Sequence, residues 1–118
     1  MNKYLFLVLL TLISACYYDV EEELYPNEIC DTQEVSYSGF VKPVLEDNCL
    51  ICHNSGSNMG NVTLEGIDNV RIYSANGRLL GAIKHEPGFS PMPQGNEKLS
   101  DCQITKIEAW INQGTMDN

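Results

Sequence analysis

The chain has 118 residues, five cysteines and a formal net charge of −9. That length holds one small domain, and 43% hydrophobic with 19% charged residues is a globular balance that excludes wholesale disorder. Seven Lys and Arg against sixteen Asp and Glu exclude the basic footprint on which nucleic-acid binding depends, and an odd cysteine count cannot be consumed by disulfides alone.

The N-terminus reads as a targeting segment. Lys3 supplies the basic start, and Leu5 to Ile13 is an apolar run broken only by Thr11. Nine residues are too few to span a bilayer, which takes about 20 in a helix. Residues 1–15 fit a signal peptide, and Ile13-Ser14-Ala15-Cys16 resembles the bacterial lipobox, in which the cysteine sulfur is acylated before cleavage. Lipidation of Cys16 predicts an exported protein of the bacterial cell envelope, anchored through its lipid on the periplasmic face or the outer-membrane surface. Residues 16–34 then read as a tether. Asp19, Glu21, Glu22, Glu23, Glu28, Asp31 and Glu34 stand there with no Lys or Arg, so the segment repels itself and stays extended. Acidic residues just after a lipidated cysteine also resemble surface-export signals.

The folded domain is expected over residues 35–118. Phe40, Val41, Val44 and Leu45 share one helical face over 38–48, with Pro43 required in the first turn. Residues 54–66 read as loop. Asp68 to Ala75 fits a short helix capped by Asp68 and stopped by Asn76-Gly77, and Arg78 to His85 fits another with Leu79, Leu80 and Ile83 inward. Pro87 to Gly95 is a Pro- and Gly-rich loop. Ser100-Asp101-Cys102-Gln103 is a capping box that opens a final helix with Ile104, Ile107, Trp110 and Ile111 on its apolar stripe, ended by Gly114. No segment alternates over strand length, so the fold class is all-α.

Cys49-Leu50-Ile51-Cys52-His53 carries the chemistry. This C-x-x-C-H run is the c-type haem attachment sequence. Two thiols three apart lie on one helical turn and can form thioethers to the two haem vinyl groups, and the adjacent imidazole ligates the iron. The chain's own composition predicts roughly 0.003 such runs by chance. A redox dithiol is the weaker alternative, lacking any βαβ pattern. A structural zinc site is another, with His53, His85 or Cys102 completing the ligands. The second axial ligand comes from Met59, His85 or Met92. Met59, six residues after His53, can hardly reach the opposite haem face. Met92 sits in Ser90-Pro91-Met92-Pro93, where flanking prolines restrain the backbone around a flexible thioether; His85 is its rival.

From Tyr37 to Asn118 the chain resembles the small class I-like monohaem cytochromes c of bacterial lipoproteins. The resemblance rests on Asn48-Cys49-Leu50-Ile51-Cys52-His53, Asn76-Gly77-Arg78-Leu79-Leu80, Gly88-Phe89-Ser90-Pro91-Met92-Pro93 and Leu99-Ser100-Asp101-Cys102 leading to Ala109-Trp110-Ile111. It implies a helical domain wrapping one covalent haem c, His53/Met92 ligation, and first and last helices packed together. One departure stands out. The loop after the motif in many such proteins holds a proline whose carbonyl orients the proximal histidine, and here no proline lies between His53 and Pro87. With export, the remaining Cys30 and Cys102 are expected to pair as a disulfide. Arg71 and Arg78 are candidates to meet the haem propionates, with ordinary surface charges as the default reading.

The implied function is one-electron transfer, with no catalytic residues. Partners are redox proteins, at least one with a basic docking patch to match the acidic chain, and the membrane through the lipid. The alternative is a haem enzyme or gas binder with an open sixth site, peroxidase-like in chemistry.

Overall fold

The structure, a computed structural model, describes residues 30–95 and 97–118. The signal peptide, Cys16 and most of the acidic tether lie outside the described residues. Within the described residues the protein is helical, without strands, and no helix there is long and apolar enough to cross a membrane.

The chain enters through a π-helical turn, Tyr37–Val41, that runs into α1, Lys42–Asn48. Pro43 explains the change of pitch. A proline six residues into a regular helix would leave one carbonyl unbonded and clash with the preceding turn. Here the wide turn closes with Val41 N donating to Ser36 O at 3.2 Å and Lys42 N donating to Tyr37 O. The α-helix then starts at Lys42, so Pro43 falls in its first turn. Ser36 caps the entry by accepting from Gly39 N at 3.0 Å. Val41, Val44 and Leu45 are buried and Phe40 is half-buried.

A single helical turn follows, α2, Leu50–His53, joined to α1 through Cys49. After a loop with one 3-10 turn at Met59–Asn61 come α3, Ile67–Ala75, and α4, Arg78–Lys84. Asp68 is not the cap of α3. The helix begins one residue earlier, with Gly66 in the N-cap position and no side-chain cap bond. Asp68 lies in the first turn, where its charge suits the helix dipole, and it pairs with Arg71 at 3.3 Å. Asn76 ends α3, and Gly77, at φ 76°, turns the chain directly into α4. That left-handed angle costs glycine nothing, which lets two helices abut with so short a link.

The last helix, α5, is Asp101–Asn112. Both capping-box bonds are present: Gln103 N donates to Ser100 Oγ at 3.2 Å and Ser100 N donates to Gln103 Oε1 at 3.0 Å. Ile104, Ile107 and Trp110 form its buried stripe, while Ile111 is only half-buried. Trp110 is wholly buried, its indole N–H donating to Met116 O at 2.9 Å. Tyr37 stacks on it with ring centroids 5.6 Å apart. The first and last helical segments thus meet through two aromatic rings. Lys84 and Glu108, 2.6 Å apart, link α4 to α5.

Two anchors extend the ordered contacts. The carbonyls of Thr32 and Gln33 both accept from Gln113 Nε2, at 2.7 and 3.0 Å. Cys30 reaches Cys102 at disulfide distance, with Cα atoms 5.6 Å apart. The end of the segment read as tether therefore lies against α5. At the other terminus, Asn118 O accepts from the hydroxyls of Ser36 and Ser38, at 2.8 and 2.7 Å.

Candidate haem-attachment site

The C-x-x-C-H run forms the short helical turn expected of it, and one bent residue positions it. Cys49, at φ −126°, departs from helical geometry, yet its N–H still donates to Leu45 O at 2.8 Å. Cys49 O in turn accepts from Cys52 N and His53 N, at 3.1 and 3.0 Å. The turn is hence a bent continuation of α1. It buries Cys49, leaves Cys52 and His53 half-buried, and turns Ile51 out to 80% exposure. Burial first, then the neighbouring Cys52, pushes the Cys49 thiol up to about 11. In a chain without haem that sulfur is a neutral thiol at physiological pH.

The loop after the motif, which holds no proline, brings a backbone carbonyl to the His53 ring. Asn54 holds its start: its side-chain oxygen accepts from Gly56 N and Ser57 N, each at 2.8 Å, and its amide donates to Leu50 O. Asn58, Gly60 and Asn61 all take positive φ and turn the chain back on itself. Leu64 N then donates to His53 O at 2.8 Å, and Val62 O accepts from His53 Nδ1 at 3.2 Å. Because a carbonyl only accepts, Nδ1 is the donor in this contact, and the neutral ring in that tautomer has its lone pair on Nε2. Backbone acceptors of this kind orient metal-bound histidines. Glu65 secures the return by accepting from the hydroxyl of Ser55 and then from its backbone N–H, which lowers its carboxyl below the ordinary range.

His53 and Cys49 line a cavity of about 250 Å³ walled by Val62, Leu64, Tyr73, Leu79, Ala82, Ile83, Phe89 and Met92. A second cavity of about 360 Å³ adjoins it and adds Cys52, Ile51, Met59 and Pro93. The two share Cys49, His53, Val62, Arg78, Ser90 and Met92. An apolar cleft with a few convergent polar groups is the usual form of a cofactor site. The residues present fit a haem: two cysteines on one turn, an imidazole with its outer nitrogen available, a thioether, and aliphatic walls.

The structure sorts the remaining sequence candidates. Met92 is half-buried and lines both cavities. Met59 lines only the second and is 54% exposed. His85 lines neither; its Nε2 lies 2.9 Å from Met92 O. Arg78 lies in both cavities, its guanidinium 5.3 Å from the Tyr73 ring centroid. Arg71 is committed elsewhere, donating twice to Thr115 O at 3.0 and 2.9 Å. Trp110 belongs to the core, whereas Tyr73 belongs to the cavity wall. Among the described residues, no three His, Cys, Asp or Glu side chains gather as a metal set. Neither Cys102, beside Cys30, nor His85, on Met92 O, lines the two cavities. Sequence reasoning did not find Val62, whose contribution is a backbone carbonyl, nor the bond from His85.

No family model matches the chain, and neither a curated protein nor a solved structure was found to be similar to it.

Proposed function

We propose that this chain is an electron carrier with one covalent haem c, held in a small cytochrome c-like helical domain and tethered to the bacterial cell envelope by lipid on Cys16. When bound, haem c supplies a one-electron iron couple. Cys49 and Cys52 hold the group through two thioethers. His53, its Nδ1 proton directed to Val62 O, presents Nε2 to the iron, and Met92 offers its thioether from the loop that lines the same cleft. Leu79 and Ile83, both buried, would keep water from the group, and Arg78, which lines both cavities, would pair with its propionates. With both held by the fold, the imidazole of His53 and the thioether of Met92 would be the protein's two donors to the iron, and a thioether donor would raise its potential. The acidic surface steers partners that carry basic patches. The disulfide Cys30–Cys102 belongs to the same reading, since export places the thiols in an oxidising compartment.

The observation that carries the proposal is the pairing of the C-x-x-C-H turn with the Val62 carbonyl at the wall of an apolar cleft. Expression in a haem-attaching host tests it. The expected product carries the mass of one haem through denaturation and acid extraction, and gives a c-type spectrum in alkaline pyridine. An unmodified mass, or haem that extracts into acid solvent, would overturn it.

A further inference from the structure

The loop that carries Met92 is tied to α4 by more than chain connectivity. α4 ends at Lys84, and His85 takes the left-handed conformation, φ 58° and ψ 40°. Histidine is among the residues that tolerate this region. Glu86 N donates to Gly81 O at 2.9 Å, which folds the chain back across the end of the helix. Two bonds then fix the Met92 peptide groups. Met92 N donates to Ala82 O at 3.0 Å, and His85 Nε2 donates to Met92 O at 2.9 Å. Between them, Phe89 lies against Gly81 so closely that a β-carbon at 81 would overlap its ring.

We propose that His85 is a positioning residue for Met92. Held with Gly81 and Ala82 at the end of α4, it clamps the ligand loop so that the Met92 thioether stays directed into the cleft. The proposal rests on the ligation reading above. It gives His85 a role distinct from direct ligation: its bonded ring nitrogen grips the backbone of the ligand. A flexible thioether on an unclamped Pro- and Gly-rich loop would leave the iron often enough to admit other ligands. Gly81 contributes by having no side chain, because only then can Phe89 seat the middle of the loop.

The test uses the haem-loaded full-length protein. His85→Asn keeps a residue tolerant of positive φ but shortens the side chain beyond reach of Met92 O. Imidazole binding to the ferric protein should speed up about five- to tenfold, the factor one lost hydrogen bond allows, and the sulfur-to-iron charge-transfer band should weaken. His85→Gln, with an amide donor of greater reach, should restore slow binding. Gly81→Ala should reproduce the fast phase without touching His85, although alanine favours the helix, so it keeps the test decisive if H85N does not fold. A purely structural role would shift the unfolding midpoint and leave ligand exchange alone. Exchange in a folded H85N at the wild-type rate, or in G81A if H85N does not fold, with Met92→Ala fast and lower in potential, would overturn the clamp alone. An M92A protein indistinguishable from wild type would overturn the ligation reading and the clamp with it.

Discussion

Cys49 and Cys52 have equivalent places in the motif but unlike surroundings. The helix bend buries Cys49 and leaves Cys52 half-buried, and burial holds the Cys49 thiol up to about 11. A thiol raised in the fold binds its proton more tightly there than in the unfolded chain. Its contribution to the stability of the haem-free chain is therefore present below the ordinary thiol range and is lost as pH climbs toward about 11. The same shift governs reactivity, because the thiolate is the nucleophile. In the haem-free chain at pH near 8, an alkylating reagent should label Cys52 well before Cys49, and the gap should close as the pH rises. Peptide mass spectrometry across a pH series measures this, and equal labelling at the lower pH would contradict it. The motif marks His53 as a ligand candidate, but the partner of its ring is not legible, because every residue has a carbonyl and only the path of the loop brings that of Val62 to Nδ1.

At the scale of elements, signals contained within a few residues match the structure. The Ser100 capping box forms as the sequence spacing predicts, since all its atoms lie within four residues. Ser100→Ala removes the acceptor for Gln103 N and should cost about 1 kcal/mol, while Ser100→Asp should retain most of it. Urea unfolding of the two variants checks the difference; equal midpoints would mean that the cap contributes nothing. The start of α3 differs from the expected one because Asp68 suits both a cap and a first-turn position. The choice fell to Gly66, whose φ of 84° sets the entry of the helix. The π-helical turn before Pro43 has no mark of its own in the sequence, because apolar spacing looks alike in a wide turn and an ordinary one. Proline signalled a helix start, and the preceding residues were wound differently to meet it.

The whole molecule is held at its edges as well as through its core. Cys30 and Cys102, 72 apart in sequence, fasten the entering chain to the start of α5, while Gln113 grips Thr32 and Gln33 at its end. A domain this small has a limited core, so a covalent closure matters more than in a large one. Replacing both Cys30 and Cys102 by Ser should lower stability by about 2–4 kcal/mol. Reductant should bring the wild-type denaturant midpoint down to that of the double variant. A midpoint unchanged by either treatment would argue against a closed disulfide. The pairing was inferred from sequence by leaving two cysteines over after lipid and haem, and their Cα separation of 5.6 Å suits it. The anchoring of Thr32 and Gln33 was hidden by the acidic composition around them, which reads as solvated tether.

By itself the sequence determined the helical class, the helix that presents Cys49, Cys52 and His53, the capping box and the helix periods, since each depends on residues within a few positions of one another. Tertiary structure alone decided which backbone carbonyl meets His53, that Arg78 and not Arg71 faces the cleft, and that His85 grips Met92 from outside the cavity. Those outcomes depend on where loops bring backbone groups and charges together, and a backbone amide or a surface arginine carries no mark in the sequence of the partner it will meet.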